Sequence, residues 1–162
     1  MLPKPTLKDL ASFRPAPPRM TSEPDGVAVV GLPMNVVGAA GSQDLHGRLF
    51  DADVIVRFVP ARYRFDYGDG TVTTTAGGGA SWSSLGAPQF TPTPTSHAYR
   101  ATGTYAASVA VQYTAAVDFG SGWIPVDGYV TTSSGAQTIQ VFEARTALVG
   151  HTCAQTPRGP GC

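Results

Sequence analysis

Tyr63-Arg64-Phe65-Asp66-Tyr67-Gly68-Asp69-Gly70-Thr71 reads as a strand that runs straight into a tight turn. Tyr63, Phe65 and Tyr67 alternate with Arg62, Arg64 and Asp66, so a β-strand here puts aromatics on one face and charge on the other. Gly68 and Gly70 supply the positive φ angles that a reversal needs. Asp66 and Asp69 carry short carboxylates able to accept hydrogen bonds from turn amides. Thr71-Val72-Thr73-Thr74-Thr75 is β-branched and reads as the returning strand. About 25 residues further on stand Ser96-His97-Ala98-Tyr99 and then Gly103-Thr104-Tyr105, which opens a long alternating run through Tyr113 toward Phe119.

The rest of the chain reads the same way. Asp25-Gly26 is a turn, and Val27 to Leu32 is a strand that Pro33 ends. Asp44–Phe50 and Asp53–Val59 flank Asp51-Ala52 as a hairpin, with Pro60 closing the second strand. Two more strands are expected over Ile124–Thr132 and Gln137–Val149, with turns at 120–123 and 133–135. Eight to ten strands with no secure helix make an antiparallel β-sandwich the expected architecture. Residues 1–24 carry six prolines and are expected to lie against the domain as an extended arm. In that arm Ala11-Ser12-Phe13 is a candidate short strand anchored by Phe13. The sandwich then spans 25–150, and 151–162 is a Cys-containing tail. Residues 76–95 are the least regular stretch, with one helical turn expected at Ser81–Leu85, and a loop of that length marks a candidate contact surface.

Composition narrows the function classes. The chain has 162 residues, 11 Lys plus Arg against 11 Asp plus Glu, and only 14% charged residues. Without a net field or a basic stripe, nucleic acid is not an expected partner. No apolar run reaches 18 residues, so no helix is expected to span a bilayer. Met1–Lys8 lacks the apolar stretch of a signal peptide, leaving a mature chain with an added Met or a cytosolic protein. Cys153 and Cys162 favour the first: they close a short polar loop and are expected to form a disulfide in an oxidising compartment, free thiols being the alternative.

Several chemistries can be weighed residue by residue. Asp66 and Asp69 could form a carboxylate pair for glycoside hydrolysis, but their place among turn glycines favours a structural cap. Asp51, Asp53, Asp66 and Asp69 offer oxygen ligands for Ca²⁺, although their spacing matches no EF-hand. His46, His97 and His151 show no zinc spacing, and no nucleophile elbow or phosphate loop is present. No cofactor, metal or catalytic group is therefore expected. Trp82 and Trp123 sit in Gly/Ser-rich loops, where an aromatic face can stack on a sugar or enter a partner's hot spot, or can simply close one end of the core.

Phe65-Asp66-Tyr67-Gly68-Asp69-Gly70-Thr71, His97-Ala98-Tyr99 and Thr102-Gly103-Thr104-Tyr105 together resemble the PKD domain, over about residues 54–114. Phe65 stands where that family usually has Trp, the insert between Gly70 and His97 is longer than usual, and two further strands follow. The resemblance implies an immunoglobulin-like sandwich of a secreted or cell-surface protein, similar to PKD-containing proteins of high-GC Gram-positive bacteria. It implies that Phe65, Asp66, Tyr67, Gly68, Asp69, Gly70, His97, Tyr99, Gly103 and Tyr105 are turn and packing residues rather than catalytic ones. The expected function is a non-catalytic module for protein–protein interaction or adhesion, working through loop 76–95 and a sheet edge. The alternative is a carbohydrate-binding accessory module that meets cell-wall or environmental polysaccharide through Trp82 and Trp123.

Overall fold

Two long antiparallel strands carry the architecture. In the computed structural model, which describes residues 2–144, the elements in chain order are Arg19–Glu23 (β1), Val27–Val29 (β2), Met34–Ala39 (β3), Gln43–Leu49 (β4), Ala52–Asp66 (β5), Val72–Thr75 (β6), the single helical turn Trp82–Leu85 (α1), Ser96–His97 (β7), Gly103–Asp118 (β8), Trp123–Ser133 (β9) and Gln137–Phe142 (β10). The expected Cys153–Cys162 pairing lies outside the described residues.

The larger sheet runs β2-β10-β8-β5-β4, with β9 also on β8 and β6 also on β5. Each long strand shares its outer edge between two short ones. β10 and β9 follow one another along β8, and β4 and β6 follow one another along β5. The smaller sheet is β1-β3-β7. The two sheets pack together as an all-β sandwich. β2 and β10 pair in parallel, a departure from the antiparallel expectation; the other pairings among the described residues are antiparallel.

Pro60 does not end its strand. β5 runs through it, and its register against β8 shifts between Pro60 and Arg62, leaving Ala61 as an extra residue. Proline lacks the amide hydrogen that a ladder needs, and a bulge is where that loss is tolerated. The bulge also sets which side chains go inside. Val54, Val56 and Phe58 are buried before it, and Tyr63 and Phe65 after it, so even-numbered positions hand the core to odd-numbered ones. Without the extra residue, period-two alternation would turn Tyr63 and Phe65 to the outer face. β8 keeps strict alternation, with Ala107, Val109, Val111, Tyr113, Ala115 and Val117 all buried.

One face of the β5–β8 pair is covered differently along its length. Near the Asp66 end the small sheet lies over it: a Cβ built on Gly38 of β3 would stand 3.0 Å from Val109 and 3.4 Å from Tyr63. Toward the β4–β5 turn the cover is the N-terminal arm. Leu10 and Phe13 enter the core. Phe13 sits against Gly47, where a Cβ would come within 2.7 Å of its ring. The Tyr113 hydroxyl donates to the Ala16 carbonyl (3.0 Å), and the Ala16 amide donates to the Gln43 side chain (2.7 Å). The arm is not wholly extended, and Ala11–Phe13 forms no strand. Asp9 accepts from the Thr6 amide and hydroxyl, and the chain turns through 7–12. The strand of this region is β1 at 19–23, which pairs with β3, itself an unexpected strand just after Pro33.

The 76–95 stretch is pinned to the small sheet. Gly38 donates its amide to the Gly78 carbonyl (2.8 Å). Fully buried Asn35 donates to Glu23 and to the Ala80 carbonyl and accepts from Thr93 and Thr95. The expected helical turn is present, capped by Ser81, whose hydroxyl accepts from the Ser84 amide.

Candidate functional site

At one end of β5 the chain makes the turn that the glycines and aspartates anticipate. Asp66 Oδ1 accepts from the Gly68 amide (2.9 Å) and Asp69 Oδ1 from the Thr71 amide (3.0 Å). Gly68 holds φ at 83°, and a Cβ there would collide with the Ala106 backbone of β8, so only glycine fits. The second Asp69 oxygen meets His97 Nε2 at 2.6 Å, tying this turn to β7. The His97 ring stacks on Tyr67 (centroids 4.5 Å apart) and meets Tyr99 edge-on (4.7 Å), and Tyr99 packs in turn on Tyr105 (4.8 Å). The Tyr67 hydroxyl donates to the Thr95 carbonyl and the Tyr99 hydroxyl to the Tyr67 carbonyl, both at 2.7 Å. Gly103, at φ 150°, starts β8 beside the Tyr105 ring.

This packing shifts titrations in a consistent way. Burial pushes the Tyr67 and Tyr99 phenols up, away from ionisation. Burial also raises Asp69, but hydrogen bonds from His97 and the Thr71 amide outweigh it and hold the carboxyl below its ordinary value. The sequence thus places Phe65, Asp66, Tyr67, Gly68, Asp69, Gly70, His97, Tyr99, Gly103 and Tyr105 in one neighbourhood, where the aspartates cap a turn and the rings stack. Asp51 and Asp53 are at the far end of β5 from Asp66 and Asp69, so the four aspartates do not converge. Among the described residues no three acidic, His or Cys side chains come together in a way that could hold a metal.

The two tryptophans part company. Trp82 is only 5% exposed; its Nε1 donates to the Thr91 carbonyl (2.9 Å) and its ring packs near Phe90 (5.8 Å). Its side chain holds the 76–95 loop together and presents little to a ligand. Trp123 is 40% exposed and stands at the start of β9, paired with Asp118 of β8. Arg57 of β5 lays its guanidinium over the indole, 4.1 Å from the ring centroid. Arg57 is itself gripped by Asp44 of β4 through two bonds of 2.8 and 2.9 Å. This fork-to-fork bond holds Asp44 below its ordinary carboxyl value and raises Arg57.

The arrangement follows from register. Arg57 pairs with Asp44 on one side and with Ala116 on the other, and Ala116 pairs with Pro125. Ala116 is short, so the Arg57 side chain can cross β8 to reach Trp123 two strands away. All of these side chains stand on the face turned away from the core. Near them the β4–β5 hairpin turns through Phe50 and Asp51, both at positive φ (52° and 61°), and Phe50 stacks on Phe119 of the β8–β9 turn (6.3 Å). The turn is Phe50-Asp51, one residue earlier than the expected Asp51-Ala52. The Arg57–Asp44 clamp is a feature that reading for motifs does not reveal.

No protein-family model matches the chain, and no curated protein matches it.

Proposed function

We propose that this chain is a non-catalytic, PKD-like module of a secreted or cell-surface protein, with an immunoglobulin-like sandwich that presents its outer sheet face to a partner protein. The observation that carries this reading is the Asp44–Arg57–Trp123 stack on an uncovered face. Trp and Arg are the side chains most enriched where binding energy concentrates, and here both are fixed before any partner arrives, which lowers the entropy cost of docking. Supporting the non-catalytic half of the proposal, Asp66 and Asp69 each have an oxygen on a turn amide, and Asp69 also holds one ring nitrogen of His97. The contact surface differs from the one expected of loop 76–95, which is bonded to β1 through the Trp82 amide on Glu23 and to β3 through Ala80 and Thr93 on Asn35.

The carbohydrate reading moves to the same place, because Trp123 keeps an exposed indole on a sheet face while Trp82 does not. One experiment weighs both readings. Wild type and Trp123→Ala are incubated with cell-wall polysaccharide and, separately, cross-linked on intact cells. A protein adduct lost in Trp123→Ala supports the protein-contact reading. Polysaccharide pull-down lost in the same variant replaces it with the carbohydrate one. Binding of either kind that survives Trp123→Ala rules out this face.

A further inference from the structure

At the opposite end of β5 from Trp123 lies a cleft of about 640 Å³, lined by Asp69, Thr71, His97, Arg100 and Tyr105 with two alanines. That volume falls within the range of small-molecule sites, roughly 300–1,000 Å³. His97 has one ring nitrogen committed to Asp69, while Nδ1 makes no hydrogen bond among the described residues. Its ring cannot swing freely, being stacked on Tyr67 and met edge-on by Tyr99. Asp69 and His97 side chains are 17% and 14% exposed, so the pair is shielded but reachable. Arg100 is exposed and has no ion pair among the described residues.

We propose that this cleft binds a small carboxylate, held by the Arg100 fork and by His97 Nδ1–H, and that protonation of His97 opens the site. A guanidinium matches the two oxygens of a carboxylate, and an imidazolium adds a second charged donor. The charges in the cleft set the gate. With His97 neutral, the Asp69 charge offsets that of Arg100, and Nδ1 offers a lone pair that repels an anion. With His97 protonated, the Asp69–His97 pair is neutral, Nδ1 becomes a donor, and the Arg100 charge stands uncompensated. The other titratable groups around the imidazole are already engaged in hydrogen bonds. The Tyr67, Tyr99 and Tyr105 hydroxyls donate to backbone carbonyls, and Asp66 holds the Gly68 amide.

The test is an NMR titration of the whole chain with citrate, and in parallel with inorganic phosphate, at about pH 5.5 and about pH 8. The expected result is a saturable shift of the His97 ring and Arg100 side-chain signals with citrate at the lower pH. Binding should be about tenfold weaker at the higher pH, and about tenfold weaker in Arg100→Gln at either pH. His97→Gln should remove the pH dependence. Arg100→Gln keeps the test valid if His97→Gln fails to fold, because Arg100 is exposed. No saturable shift at the lower pH would overturn the proposal. So would undiminished binding in Arg100→Gln, or equal responses to citrate and phosphate, which would mean attraction to bare charge only.

Discussion

The two ends of the β5–β8 pair are built on opposite plans. At the Asp66 end the turn is shaped locally, by Asp66 on Gly68 and Asp69 on Thr71, and is then tied to the segment about 30 residues on through His97 on Asp69 and the Tyr67 and Tyr99 hydroxyls. At the Asp53 end the contacts join segments far apart in sequence, with Phe13 against Gly47, Tyr113 bonded to Ala16, and Arg57 laid on Trp123. The first end is closed by strands paired into the small sheet, the second by an arm that makes few backbone bonds. Cover made of side-chain anchors can lift locally, whereas cover made of laddered strands opens only with the domain.

The largest test of that difference compares two buried rings. Phe65→Ala is expected to cost about 3–5 kcal/mol in global urea unfolding, because Phe65 is fully buried in the core. Phe13→Ala should lose less global stability and instead speed amide exchange in β4 and β9, the strands the arm covers. Equal global losses with no local exchange effect would erase the distinction between the ends.

A second, intermediate effect concerns backbone geometry. Gly68→Ala must place a Cβ against the Ala106 backbone while holding φ at 83°. It should cost about 3 kcal/mol in denaturant unfolding. A variant as stable as wild type would mean that the turn is less constrained than its packing on β8 implies.

The smallest effect is electrostatic and separates the ends by pH. Asp69 is held below its ordinary carboxyl value in the fold, so between the folded and unfolded values the unfolded chain binds more protons. The stabilisation is therefore complete above the unfolded carboxyl value, near ~3.9, and is lost as pH falls through the folded value. Asp69→Asn, which can keep the Thr71 cap, should flatten this acid limb in urea midpoints measured against pH. Asp44→Asn at the other end should leave the limb nearly unchanged, because its partner bond is solvent-exposed and screened. An acid limb untouched by Asp69→Asn would remove the Asp69–His97 contact from the account of stability.

The contrast between the ends also explains what could be read in advance. The turn, His97-x-Tyr99 and the long β8 strand were legible because glycine conformation, side-chain reach and period-two alternation are local properties. The hairpin was legible as a hairpin but not in register. Its charges held the missing signal: turning at Phe50-Asp51 sets Asp44 against Arg57 and Arg48 against Asp53, whereas turning at Asp51-Ala52 sets Asp44 against Val59. Opposite charges across a ladder favour the first register, even though it puts Phe50 at a positive φ that a bulky side chain rarely adopts. Pro60 misled for a related reason. Proline bars a regular ladder position, yet a bulge supplies an irregular one, and only the partner strand β8 shows that β5 continues.

By itself, the sequence determined an all-β chain with an Asp–Gly turn, an aromatic inner face and a charge-poor surface, since each of these follows from residue chemistry and short-range periodicity. Tertiary structure alone decided that Leu10 and Phe13 of the arm close the core at the β4–β5 end, that Trp82 is inside and Trp123 outside, and that Arg57 bridges Asp44 to Trp123. Those outcomes depend on which strands become neighbours and where an extra residue reverses the inward face. Such choices are settled by packing between segments that lie tens of residues apart.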